Sequence, residues 1–398
     1  SEADYNRIVS IAQGPTNNYD PGPSGGDGTQ ETEKYMVRVD WNINDDHNAA
    51  LIYNYFDGFQ DRDSDGDDNE FEFANHYYVK GAESETITFK LSSQWTDAFS
   101  TELFVSSSEM DDSQVTVGDP TFADTQIEIG GGDGTVYLGA DDSRQANSLD
   151  TSVDYIKLSA NYLAGDHVIT AGYDREELEI FNIFVQHSRG GEYDYFDDSD
   201  SNPAFCAALT AQQRFDDPLC GTSGIDKFEL GRPDRIFYGS AAGTNNRFDA
   251  AAQFSNVLHS LYIQDEIFID HVDLTIVAGL RYEFFESDDR PKFNQNFFDA
   301  SGIRNDANID GVDLLMPRVG FTWGVRDDLT LRGGVGLYSG GNPNVWLSNA
   351  WSNDGISNVQ LGGFSGWDED DFFPTGSLPN GDPANSFTIL PGSPDSVP

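Results

Sequence analysis

The stretch LTIVAGLRYEFF, residues 274–285, indicates a β-strand because most of its apolar residues recur at every second position. Leu274 and Leu280 fall on one face of an extended strand, whereas Arg281 falls on the other. This alternation is typical of a strand that meets an apolar medium on one side only. A second alternating stretch, 256–269, precedes it across a short turn, so the sequence predicts a β-hairpin here.

Five pairs of such stretches follow one another along the chain. Connections within pairs are short and those between pairs are long, an asymmetry typical of a barrel that spans the outer membrane. We predict an all-β fold: a partial antiparallel transmembrane β-barrel of about ten strands in five hairpins, with short periplasmic turns and long extracellular loops. The predicted pairs are 35–41 with 51–55, 87–95 with 99–105, 156–162 with 169–173, 256–269 with 274–284, and 319–323 with 329–337. The long connections are 57–74, 109–150, 185–253, 286–313 and 341–398.

The two faces of the predicted strands are expected to contact different surroundings. Lipid would contact the apolar face, and a water-filled lumen would contact the polar face. The side chains expected to point outward are Leu274, Ile276, Leu280 and Phe321, and those expected to point to the lumen are Thr275, Arg281 and Arg318. In a soluble β-sandwich the apolar face would instead pack against a second sheet.

Aromatic residues beside the short turns favour the membrane interpretation, because aromatic girdles mark membrane interfaces. The alternative is that they are ordinary aromatic residues at strand ends. The residues in question are Trp41, Trp95, Phe99, Tyr162, Phe268 and Trp323.

The net charge of −47, from 22 basic and 69 acidic residues, makes nucleic acid an unsuitable partner because phosphates would be repelled. An aromatic content of 13% argues against disorder, because disordered chains contain few aromatic residues. The charge therefore suits a surface that is exposed to salt or binds cations.

Four segments in two consecutive hairpins resemble a known family. They are LYIQDE (261–266), LTIVAGLRYE (274–283), PRVGFTW (317–323) and LTLRGGVGLY (329–338), and they look like barrel hairpins of TonB-dependent outer-membrane receptors of the Oar-like branch. The resemblance implies a location in the bacterial outer membrane. It also implies an N-terminal plug, a TonB box and a barrel of about 22 strands. This chain would then be the middle of the barrel, without plug or C-terminal strands.

The same resemblance implies a receptor that takes up a scarce nutrient with energy supplied through TonB. Its expected partners are outer-membrane lipid, the TonB system and a small-molecule, glycan or peptide ligand. Residues 1–340 would form the barrel segment with its extracellular loops, and 341–398 a further long loop that is truncated. The aromatic residues of that loop could face a ligand or pack within the loop; they are Trp346, Trp351, Trp367, Phe372 and Phe373.

Residues 61–72, DRDSDGDDNEFE, match the calcium-loop pattern D-x-D-x-D-G-x5-E over its full length. Calcium takes six to eight oxygen ligands, and Gly66 falls where such loops turn sharply. The predicted calcium ligands are Asp61, Asp63, Asp65, the backbone carbonyl of Asp67, and Glu72. The alternative is a solvated acidic loop that matches the pattern by composition.

A second, partial match occurs at 306–313, DANIDGVD. Its candidate calcium ligands are Asp306, Asn308, Asp310 and Asp313. The twelfth position of this match is Pro317, whose side chain cannot bind a cation.

The two cysteines, Cys206 and Cys220, lie in one predicted loop. Such a pair predicts a disulfide formed in an oxidising compartment, with two free thiols as the alternative.

Enzymatic signals are weak, and we predict that the protein is not an enzyme. The stretch 22–26, GPSGG, matches a nucleophile-elbow pattern but lies in a glycine- and proline-rich segment, not between a strand and a helix. The six histidines show no metal-ligand spacing. Two other classes stay open: a calcium-braced structural or adhesive surface protein, and a soluble calcium-binding β-sandwich.

Overall fold

The computed structural model of the protein describes residues 1–26, 28–241, 244–341 and 344–362. Its strands are β1 (Gln30–Asn42), β2 (His47–Arg62), β3 (Glu70–Glu72), β4 (Tyr78–Thr96), β5 (Phe99–Thr116), β6 (Asp124–Ile129), β7 (Gly134–Leu138), β8 (Asn147–Ala164), β9 (His167–Phe184), β10 (Glu192–Tyr195), β11 (Arg235–Ala241), β12 (Ala252–Ile269), β13 (Leu274–Glu286), β14 (Asp313–Arg326), β15 (Leu329–Gly336) and β16 (Asn358–Gly362). Its α-helices are α1 (Glu2–Ala12), α2 (Ala211–Asp216), α3 (Gly224–Leu230), α4 (Gln295–Ser301) and α5 (Asn344–Ser352). No helix in these ranges is long and apolar enough to cross a membrane.

Ten long strands form one antiparallel sheet, which we call the wall. Each wall strand pairs with the next one along the chain, in the order β1-β2-β4-β5-β8-β9-β12-β13-β14-β15. The five predicted hairpins are therefore confirmed.

Several wall strands continue beyond their predicted ends. The predicted loop 57–74 was wrong at its start, because β2 continues to Arg62 and pairs with β4 as far as Tyr78. Backbone hydrogen bonds extend the ladder where the side chains no longer alternate, as at Asp57 opposite Glu83.

The apolar side chains of the wall share one exposed face. Leu280 lies opposite Ile263, and Phe321 lies opposite Ile276. The exposed fractions are 54% for Ile263 and 42% for Phe321. A β-sandwich would bury these side chains against a second sheet, so that alternative is wrong.

The opposite face of the wall is polar and internally hydrogen-bonded. Arg281 contacts Asp174 at 3.0 Å and Glu283 at 2.6 Å. Arg318 donates a hydrogen bond to the Gln264 side chain at 3.3 Å. Paired groups of this kind suit the wet interior of a barrel, as predicted for Arg281 and Arg318.

One residue of the predicted aromatic girdle lies on the wrong face. Phe268 is opposite Thr275 and therefore shares the polar face, because Ile267 occupies the neighbouring outward position. The register places four others on the apolar face: Trp41, Phe99, Tyr162 and Trp323. Trp95 lies in the bulge between Gln94 and Thr96, where it is 58% exposed.

The long connections fold into a second sheet that the sequence analysis did not predict. Its strand order is β16-β11-β10-β6-β7-β3, with two parallel pairs, β10 with β6 and β3 with β7. We call this sheet, together with α1, α2 and α3, the cap. Its core combines aromatic and aliphatic side chains from the N-terminal segment and three separate connections, including Ile8, Phe73, Phe122, Tyr195, Phe228 and Tyr238.

Helix α5 packs on the polar side of the wall near the long-loop end. Trp351 stacks on Phe254, with ring centroids 5.5 Å apart, and Asn182 donates a hydrogen bond to Ser348 at 2.6 Å. Trp351 is thus packed within the protein, whereas Trp346 is 76% exposed. The other aromatic residues of the predicted 341–398 loop, Trp367, Phe372 and Phe373, lie outside the described residues.

Candidate functional site

The cap contains a buried group of one histidine and two aspartates. His76, in a short turn between β3 and β4, has its Nε2 atom 2.9 Å from Asp65 Oδ2 and 4.0 Å from Asp141 Oδ2. The three ligand atoms all lie within 4.8 Å of one another. We call these residues the His76 group.

Local backbone geometry orients the histidine ring. His76 Nδ1 lies 3.2 Å from the carbonyl oxygen of Gly139. Gly139 adopts φ +93°, and a Cβ atom there would lie 1.8 Å from the Ala123 carbonyl oxygen, so only glycine fits. The Nδ1–H group therefore donates to a fixed carbonyl, which leaves Nε2 to face the two carboxylates.

The carboxyl groups around the His76 group outnumber the positively charged side chains beside them. Asp124 is fully buried, its Oδ1 atom has no hydrogen-bond partner, and this atom lies 4.0 Å from His76 Nδ1. Glu72 accepts hydrogen bonds from the backbone of Ser64. The nearby cation is Arg144, which contacts Asp141 at 3.1 Å.

The electrostatic shifts in this region follow from burial and proximity. Burial, reinforced by surrounding carboxylates, holds the pKa of Asp124 well above its usual value. Burial acts to lower the pKa of His76, but the Asp65 hydrogen bond and the charge of Asp141 outweigh it and raise that pKa. Burial also raises the pKa of Asp141. Burial thus makes the ionised forms of Asp124 and Asp141 costly, and a bound cation would stabilise those ionised forms.

A second group consists of His187, Asp142 and Glu192, and it joins the connection before β8 to the connection after β9. His187 Nε2 lies 2.7 Å from Glu192 and 3.1 Å from Asp142, and its Nδ1 lies 3.0 Å from Gln360 Oε1. Burial acts to lower the pKa of His187, but its two carboxylate partners raise it to about 10. A protonated imidazolium between two carboxylates accounts for this group without a metal.

The predicted calcium ligands of 61–72 are only partly brought together. Asp65 turns to His76, and Glu72 folds back onto the backbone of Ser64 and Asp65. Asp61 accepts a hydrogen bond from the Thr29 backbone. Of the five predicted ligands in the described parts of the chain, only Asp65 belongs to a group whose side-chain atoms lie close enough together to hold a metal ion.

The weaker calcium candidates have separate hydrogen-bond partners. Asp306 pairs with Arg304, and Asp313 accepts a hydrogen bond from Tyr282. Asn308 donates to backbone carbonyls, and Asp310 accepts from the Ser287 backbone.

The predicted disulfide is present in the cap. Cys206 and Cys220 are bonded with a Cα–Cα separation of 5.8 Å, and the bond closes a loop that contains α2. Closure of a loop of this length removes unfolded-state entropy worth roughly 3 kcal/mol.

Sequence reasoning missed the His76 group because its ligands come from different loops. Asp65 and His76 lie between β2 and β4, whereas Asp141 follows β7. Spacing along the chain therefore carries no signal for it. The available sequence clue was that Asp65 belongs to an acidic stretch and that a histidine follows it closely.

No curated protein matches this chain. Among solved structures, it is similar to the outer membrane transporter YddB from Escherichia coli, with 12% identity and a TM-score of 0.49 over 82% of this chain. It is also similar to the siderophore receptor PiuA from Acinetobacter baumannii, with 14% identity and a TM-score of 0.38 over 76% of this chain. The chain spans 34% of the first structure and 41% of the second.

A family model described as "outer membrane beta barrel domain" matches residues 6–394. The match extends over both the wall and the cap, which is nearly the whole chain. It agrees with a meander of long antiparallel strands whose apolar face is exposed. Barrels of this kind lie in the bacterial outer membrane, with short turns on the periplasmic side and long loops outside. The chain belongs to the outer membrane beta-barrel domain family.

Proposed function

We propose that this chain is the middle of the barrel of a TonB-dependent receptor that binds a scarce nutrient at its extracellular face. The observation that carries the proposal is the cap, because three long loops and the N-terminal segment share one buried core at the end of a wall with a polar inner face. An ordered extracellular surface beside a polar lumen suits a protein that binds a nutrient selectively and then lets it pass through the barrel. The resemblance of the hairpins within 261–338 to TonB-dependent receptors supports the same class.

Trp346 is our candidate contact for the nutrient. It is 76% exposed, and it lies on α5, which packs against the polar side of the wall. Exposed aromatic side chains often anchor ligands because they offer a large, rigid contact area.

The proposal is tested by growth of a deletion strain on media limited separately for iron, cobalamin and oligosaccharide. We expect a defect on one medium that the full-length gene restores only when TonB is functional. Trp346→Ala should restore growth less well than Trp41→Ala, a matched change at an exposed tryptophan on the apolar face. A strain without any growth defect but with lost surface attachment would favour the structural or adhesive class instead.

Calcium stabilisation of the acidic loops is a separate part of the proposal. Residues 57–72 carry eight acidic side chains against one arginine, so a cation would reduce their mutual repulsion. We expect calcium titration of the full protein to reveal weak binding, about 10⁻⁴ to 10⁻³ M, at this loop. The Asp63→Ala/Glu72→Ala double variant should lose this binding. Equal binding by the two proteins would mean that the loop is only a solvated acidic surface.

A further inference from the structure

We propose that the His76 group binds one divalent transition-metal cation that ties the first long loop of the cap to the second. The ligands are His76 Nε2 and one carboxylate oxygen each from Asp65 and Asp141. Asp124 is a further buried carboxyl group beside the site, with its Oδ1 atom 4.0 Å from His76 Nδ1. This inference rests on the cap itself and does not depend on the transport proposal.

The positions of the ligand atoms fit a shared cation. Ligands about 2.1 Å from a tetrahedral metal lie about 3 to 4 Å from one another, and the three atoms here lie within 4.8 Å. Small side-chain rotations would close the remaining distance. Asp65 is 39% exposed, whereas His76 and Asp141 are buried, so an ion can enter from the Asp65 side.

The orientation of His76 has the arrangement common to metal-bound histidines. One ring nitrogen donates to a backbone carbonyl, here that of Gly139, and the other nitrogen points at the metal position. Asp141 is held in the same way, since its Oδ1 contacts Arg144 and its Oδ2 accepts from the Ser64 hydroxyl. Supporting bonds of this kind fix ligand directions before the ion arrives.

A second, independent observation is the unpartnered buried oxygen of Asp124. This Oδ1 atom is buried, lies 4.0 Å from His76 Nδ1 and has no hydrogen-bond partner, whereas Oδ2 of the same group accepts from the Asp142 backbone at 3.2 Å. A buried carboxylate is costly unless a charge compensates it. A divalent ion supplies two positive charges to this pocket, whereas a proton on His76 supplies one.

The ligand types favour a transition metal over calcium. Calcium takes oxygen ligands almost exclusively, whereas imidazole suits zinc and its neighbours in the periodic table. Asp65 would belong both to this site and to the proposed calcium loop. The two are separable, because His76 serves only this site and Asp63 serves only the loop.

The test measures zinc bound to the full-length protein in detergent, after removal of metals with a chelator. We expect His76→Gln to lower the bound zinc by one equivalent relative to the wild type. His271→Gln, at an exposed turn of the wall, is the matched control and should bind as the wild type does. Asp124→Asn removes a buried carboxyl group beside the site but no ligand, so it should weaken zinc binding by less than His76→Gln does.

Two further measurements keep the test decisive. Cobalt(II) in place of zinc should give d–d absorption bands that His76→Gln removes, and heat-dependent gel migration should report an intact barrel in every variant. Equal zinc binding by wild type and His76→Gln would overturn the proposal and leave only a protonated histidine. Binding of calcium alone, unaffected by His76→Gln, would also overturn it.

Discussion

At the scale of single residues, charge pairing shapes the cap. Asp226, at the start of α3, is 1% exposed and contacts Arg214 at 2.5 Å and Arg7 at 2.6 Å. Burial acts to raise the pKa of Asp226, but the two arginines outweigh it and lower that pKa. One carboxylate therefore joins α1 to α3 and to α2.

We predict that Asp226→Asn lowers the free energy of unfolding of the cap by about 2 to 4 kcal/mol, because it leaves two arginines without their buried carboxylate partner. Because the folded-state pKa is depressed, this stabilisation is present above the unfolded pKa of about 4 and is lost as the pH falls through the folded value. Hydrogen exchange of α1 and α3 measures the effect. The control is Asp216→Asn at an exposed position of α2, and equal exchange in both variants would contradict the prediction.

Gly139 occupies a position where a side chain would collide with the backbone, and a second prediction concerns its replacement. Gly139 and Gly311 both have positive φ, but only Gly139 faces a backbone atom at which a Cβ would collide. Gly311→Ala should cost only the strain of its φ, about 1 kcal/mol. Gly139→Ala should cost more and displace the carbonyl that accepts from His76. Exchange rates of β6 and β7 that match in the two variants would rule this out.

At the scale of elements, two neighbouring residues of β12, Ile263 and Gln264, lie on opposite faces of the wall. Ile263 is exposed on the apolar face, whereas Gln264 hydrogen-bonds Arg318 on the polar face. Arginine near the middle of the lipid face of a barrel costs about 2 to 4 kcal/mol.

We therefore predict that Ile263→Arg destabilises the full protein folded in lipid vesicles by about that amount, as measured by denaturant unfolding. Gln264→Arg should be much milder, because its side chain remains in the wet interior. The reverse order of stability would mean that the faces are assigned the wrong way round.

The wall was predictable from sequence because apolar residues such as Leu274, Ile276 and Leu280 recur at every second position within each strand. The cap was not predictable by the same reasoning. Its strands are short, two of its pairings are parallel, and its core joins residues far apart in the chain, such as Ile8 and Tyr238. No periodic pattern in the sequence predicts contacts between residues that lie so far apart in the chain.

The disulfide and the candidate cation sites show the same division between what was and was not predictable. The disulfide followed from two cysteines in one loop, and it is present. The calcium loop of 61–72 stays a prediction. The His76 group emerged only when the fold brought Asp65 and Asp141 to one side of an imidazole.

At the scale of the whole molecule, the wall and the cap imply one orientation in the membrane. The turn at Asp97 joins β4 to β5 at the short-turn end, whereas Asp299 lies in α4, within the long connection between β13 and β14. Both side chains are exposed. The described cysteines are both bonded, so a new cysteine would be the reactive thiol.

Labelling of intact cells with a membrane-impermeant maleimide tests this orientation most directly. The full-length protein carries either Asp299→Cys or Asp97→Cys, and each is labelled before and after the outer membrane is permeabilised. We predict that Asp299→Cys is labelled on intact cells and that Asp97→Cys is labelled only after permeabilisation. Labelling of Asp97→Cys on intact cells, with Asp299→Cys protected, would contradict the proposed arrangement of wall and cap.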